Sequence, residues 1–159
     1  MKPPMRKLLL TVHVITAVGW LGVDLVMLTF GIAGLAGADP ALVYPAQSLI
    51  GRVLFTPLTA VVWAVGVLNA LLTPWGLAKH WWVAVKLAVT TLMLFLVTFL
   101  LHPQLSTGVL PEGPERINLV VAPAVSTSLM IFATVLSTYK PWGRILQGRA
   151  KRSSVLAAD

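Results

Sequence analysis

The run from Leu8 to Ala36, LLLTVHVITAVGWLGVDLVMLTFGIAGLA, constrains this chain more than any other stretch. About 20 apolar residues in succession cross a bilayer as a helix, and this run is longer than that. It nevertheless contains His13 and Asp24. Ionisable groups at membrane depth are costly and are kept for a reason. His13 and Asp24 are eleven positions apart, and that many steps of about 100° return to within about 20° of the starting direction. The two therefore share one helix face, about 16 Å apart along the axis. Trp20, seven positions after His13, lies on the same face. That face is predicted to look into protein and not into lipid.

With 159 residues, the chain suits a single membrane domain over 1–159. Hydrophobic residues make up 57% and charged residues 11%, whereas soluble domains are about 25% charged. The composition therefore points to an integral membrane protein with the lipid bilayer as its partner. The absence of cysteine excludes disulfides and thiolate metal sites. The net charge of +7 is concentrated at the chain ends and in one short loop. No basic face is interleaved with aromatics, which excludes nucleic acid as a partner.

Four spans are predicted, at about 8–36, 48–73, 79–102 and 117–139, followed by a basic tail over 140–159. The first apolar run far exceeds the 7–15 residues of a signal-peptide core, so it is expected to be retained. Asp39-Pro40 is expected to open a loop, and Thr73-Pro74-Trp75-Gly76 to end the second span. This is the pattern of an all-α, four-helix membrane bundle. Lys2, Arg6, Lys7, Lys79, Lys140, Arg144, Arg149, Lys151 and Arg152 fall on one side of it, against Arg52 and Arg116 on the other. Positive charge marks the cytoplasmic side, which places both termini there. Trp75, Trp81, Trp82 and Trp142 then sit at the inner interface. TPWG at 73–76 and KPWG at 140–143, each preceded by Pro57 or Pro123, hint at a parallel repeat of two helical hairpins.

Depth decides which polar groups can meet. His13 is six residues past Lys7 and Lys86 seven past Lys79, which puts both about 10 Å from the inner interface. Asp24 and Arg52 both belong to the outer half, where a buried ion pair between them is predicted. The second span has a polar stripe of Arg52, Thr56, Thr59, Trp63, Gly66 and Asn69. The fourth has Ser126, Met130, Thr134 and Ser137. Facing side chains of bundle helices can build a ligand site. On residues alone, His13 is a helix-to-helix hydrogen bonder, a cofactor or metal ligand, or a proton carrier. Lys86 either joins that site or snorkels to the interface. His80 and His102 fall at interfaces, and Met5, Met27, Met93 and Met130 form no Met-x-Met cluster suited to copper.

The first-span segment KLLLTVHVITAVGWLG and the third-span Trp-x-x-x-Lys-Leu, Trp82 to Leu87, resemble a group of small bacterial membrane proteins. That group includes CopD-type copper-resistance domains, the haem-containing protoporphyrinogen oxidase HemJ and uncharacterised four-helix relatives. The resemblance covers mainly spans one and three. It implies a helix bundle in the bacterial inner (plasma) membrane. For the HemJ branch it implies haem b, with the first-span His as ligand and the third-span Lys needed for activity. Carried over by position, these are His13 as the metal ligand and Lys86 as the catalytic candidate. Trp20 and Trp82 join His13 as candidate cofactor-binding residues. Two other functions stand beside haem or porphyrin binding. One is copper or ion transport along His13, Asp24 and Arg52; the other is a non-catalytic role in a homo-oligomer or larger membrane complex.

Overall fold

The computed structural model describes residues 3–72, 81–101 and 110–139. Within them every regular element is helical, and four helical rods are long and apolar enough to cross a membrane. Trp75, Lys79, His80, His102, Trp142, both Pro-Trp-Gly turns and the tail 140–159 lie outside the described residues.

The first rod is α1 (Pro3–Leu35). Just beyond its end Gly37 has φ +95°, a conformation that favours glycine at a helix C-terminus. The chain then reverses at once. The Asp39 carboxylate accepts the Ala41 N–H at 2.9 Å, and Pro40 takes the first helical position. An N-cap aspartate followed by proline starts a helix. The predicted loop here is therefore a helix start, and the second rod begins at Pro40 instead of near Ser48.

That rod comprises α2 (Pro40–Ile50), a π-helical turn (Gly51–Phe55) and α3 (Thr56–Leu72). Pro57 explains the wide turn. Proline has no N–H to donate, and its ring crowds the carbonyl four residues back. One π turn just before it relieves that crowding. Both the Thr56 N–H and its hydroxyl close the turn on the Gly51 carbonyl, the hydroxyl at 2.9 Å. The third rod is α4 (Trp81–Leu96), which ends in a second π turn (Val97–Leu101). The fourth is α5 (Pro114–Tyr139), which starts at Pro114 and not near Ile117 because Gly113 at φ +47° makes the turn.

Neighbouring rods run antiparallel. Along α1 and the second rod, His13 meets Gly66, Trp20 meets Thr59 and Gly34 meets Tyr44. Along α1 and α5, Asp24 meets Ser126 and Gly31 meets Leu119. The α3–α4 and α4–α5 contacts complete a ring of four rods, so Pro3 and Tyr139 lie at the same end. Trp20, Met27, Tyr44, Phe55, Met93, Leu119 and Met130 share the core. Val14, Ile15, Val18, Leu49, Phe99 and Ile131 are exposed on the outside. An outer surface of that kind suits hydrocarbon, where the helices already satisfy their own backbone polar groups.

One side chain ties three rods together. Pro123 in the middle of α5 donates nothing, which leaves the Leu119 carbonyl without its helical partner. Gln47, fully buried on α2, supplies the missing donor. Its Nε2 donates to Leu119 O and to Met27 O, each at 3.0 Å. At this level α1 presents Gly31, whose missing side chain lets the two backbones approach.

Candidate functional site

Two polar layers lie inside the bundle. The layer toward the chain ends holds His13, Lys86, Ser137 and Asn69. His13 projects from α1 toward α3, where a Cβ on Gly66 would lie 3.3 Å from its Cε1. Its Nδ1 is enclosed and has no hydrogen-bond partner. Lys86 reaches across from α4 to α5, and its Nζ donates to the Ser137 hydroxyl at 2.8 Å. Antiparallel α1 and α5 are in register at Asp24 and Ser126, which puts Ser137, and with it the Lys86 ammonium, at the level of His13. The structure therefore brings the two predicted residues into one layer. Asn69 donates from Nδ2 to the Leu9 carbonyl at 3.2 Å and the Val65 carbonyl at 3.1 Å, while its Oδ1 is buried without a partner. Trp82 sits half-buried on the first turn of α4, four residues before Lys86.

The second layer lies toward the middle of α1. Trp20 is 1% exposed, and its indole N–H donates to Thr59 Oγ1 at 2.6 Å. The ring stacks on Phe55 at 5.1 Å between centroids. The structure thus gives Trp20 a packing role and commits its one donor to α3. Asp24 is wholly buried. Ser126 Oγ lies 2.8 Å from Asp24 Oδ1 and 2.7 Å from Oδ2, and Thr127 Oγ1 lies 2.7 Å from Oδ2.

The predicted Asp24–Arg52 ion pair does not form, because Arg52 is exposed on the outside of the second rod. The π turn is the reason. The buried face of this rod runs Gln47, Gly51, Phe55, Thr59, at spacings of four that an uninterrupted α-helix would not hold in line. Arg52 is one step past Gly51 and falls off that face. Asp24 is left with hydroxyl partners alone. This arrangement makes the amide an adequate replacement for the acid. Asp24→Asn should change stability by less than about 1 kcal/mol, while Asp24→Ala, which removes the shared partner of the Ser126 and Thr127 hydroxyls, should cost about 2 kcal/mol. Thermal unfolding in mild detergent measures both.

A cavity of about 340 Å³ opens between the start of α3, α4 and α5, lined by Phe55, Met93, Val97, Ala122, Val125 and Ser126 among others. Sequence reasoning missed Gln47, which fell in a predicted loop, and it missed the partners of Asp24. The adjacent Ser126-Thr127 and the carbonyl freed by Pro123 were the available signals.

Among the described residues no three His, Asp or Glu side chains converge on a possible metal ion. The comparisons with known proteins add no relative: no family model, curated protein or solved structure matches the chain.

Proposed function

We propose that this chain is a multi-pass protein of a bacterial inner membrane, with both termini cytoplasmic, that binds haem b or a related porphyrin through His13. One observation carries the reading: an imidazole held among the helices with its enclosed nitrogen unpartnered, at the level of a lysine ammonium. Buried polar atoms nearly always find a partner, so such a nitrogen marks a place for a ligand. The likeness of spans one and three to CopD- and HemJ-type proteins supports the same choice. Bound haem would supply one-electron chemistry. His13 would hold it, and Lys86 would meet an anionic edge of the ring or of a substrate. Ser137 orients the ammonium from α5.

The test is the visible spectrum of the purified protein, before and after addition of hemin. A Soret band is expected, and His13→Ala should abolish it. Lys86→Met should weaken hemin binding about tenfold, the order expected for loss of one charge-assisted contact, while leaving the band position unchanged. A protein with no Soret band under either condition would overturn the reading.

Ion handling is the second reading, and Asp24 favours it: a carboxyl in the bundle interior that contacts only hydroxyls. Proton or copper flux into liposomes that persists in the Asp24→Asn, His13→Ala double variant would count against it.

A further inference from the structure

The cavity between α3, α4 and α5 is separate from the His13 layer and takes no part in binding at the imidazole. Its volume of about 340 Å³ is at the small end of ligand pockets, which span roughly 300–1,000 Å³. The walls are apolar: Phe55 from the second rod, Met93 and Val97 from the third, Ala122 and Val125 from the fourth. Two polar side chains join the lining. Asn118 is exposed on the early part of α5, whereas Ser126 is 8% exposed. Val121 and Val125 are about half exposed on the outer face, so the cavity opens toward the bilayer.

Ser126 has a single hydroxyl hydrogen and three acceptors in reach. These are Asp24 Oδ1 at 2.8 Å, Asp24 Oδ2 at 2.7 Å and the Pro123 carbonyl at 3.1 Å. Thr127 already donates to Asp24 Oδ2 at 2.7 Å. No cation contacts the Asp24 carboxyl among the described residues, and a bare charge there would be costly. Because Thr127 also holds Asp24, the Ser126 hydroxyl can turn from the carboxyl to Pro123 O or to a molecule in the cavity. The cavity thus offers apolar walls and a single O–H donor with an acid behind it.

We propose that this cavity binds a membrane-soluble carbonyl compound with an apolar ring and tail, the chemistry of an isoprenoid quinone, whose carbonyl oxygen accepts from Ser126. A plain acyl chain has no use for the donor. A strongly polar ligand has no match in Met93, Val97 and Val125. The outward opening admits a ligand that is already dissolved in the bilayer.

The experiment titrates the full chain in nanodiscs with decylubiquinone and reads tryptophan fluorescence. Trp20 reports directly, because it stacks on the wall residue Phe55, and Trp20→Phe isolates its share. Saturable quenching is expected. Ala122→Phe, which fills the cavity, should weaken binding at least about tenfold, in line with loss of a pocket that buries most of its ligand. Val97→Phe provides a second filling variant should the first fail to fold. Ser126→Ala should weaken binding about fivefold, the worth of one neutral hydrogen bond. Quenching that rises linearly and equally in the filled variants would show partition into lipid only and would overturn the proposal. So would saturable binding unaffected by Ser126→Ala, which would make this a site for apolar volume alone. Hemin binding at His13 should be the same in the Ala122→Phe, Val97→Phe and Ser126→Ala variants, so failure of one site leaves the other standing.

Discussion

Gly31→Ala will destabilise the bundle by about 3 kcal/mol, far more than the same change at the other membrane glycines. A Cβ at Gly31 would sit 2.5 Å from the Leu119 carbonyl oxygen and 3.0 Å from Val120 Cγ2. The nearer obstacle is backbone in the middle of a helix, which no rotamer change can move. Relief requires α1 and α5 to separate, and separation stretches the bonds Gln47 makes to both. Gly34→Ala should cost less, about 1 kcal/mol, because its obstacle at 2.7 Å is the tip of the Tyr44 side chain. At Gly22 an added Cβ would meet nothing within 4 Å, so Gly22→Ala should be neutral or stabilising by up to about 1 kcal/mol. Unfolding in detergent monitored by circular dichroism ranks the three. Equal costs at Gly31 and Gly22 would disprove the close approach of α1 and α5.

Gln47→Leu keeps the volume and removes the donor, and it should cost about 2–3 kcal/mol. Two carbonyls, Met27 O and Leu119 O, lose the amide. Met27 O keeps its place in a regular helix. Leu119 O does not, because residue 123 is proline. That asymmetry makes a sharper test available. Pro123→Ala restores an N–H that can bond Leu119 O within α5. The double variant Gln47→Leu, Pro123→Ala should therefore be more stable than the sum of the single changes predicts, by about 1 kcal/mol. Additive costs in that cycle would mean that Gln47 is not standing in for the missing helical donor.

The residues that sequence reasoning placed well are those whose position follows from helical period and depth. His13, Trp20 and Asp24 lie eleven or fewer residues apart on one helix, and Trp20 and Asp24 are buried as the period requires. Distance from the inner interface matches His13 with Lys86, and the register of α1 against α5 sets them at one level. Arg52 shows where periodicity stops being a guide. Its stripe with Thr56 and Thr59 requires an unbroken α-helix, and a single π turn at 51–55 moves it to the outside. Asp39-Pro40 has two local meanings, turn and helix start, and the cap hydrogen bond to Ala41 decides between them.

By itself the sequence determined the class of this protein: four apolar rods with short polar joints, because hydrocarbon leaves a chain of this composition few other ways to satisfy its backbone. It also determined which face of the first rod turns inward, since that follows from residue spacing along one unbroken helix. Only the tertiary structure decided the partners: Ser126 and Thr127 for Asp24, Gln47 for the carbonyl beneath Pro123, Thr59 for Trp20. Partner choice depends on the rotation and register of one rod against another. Those are set by close contacts such as Gly31 on Leu119 and by the extra residue in a π turn, and neither leaves a periodic trace in the chain.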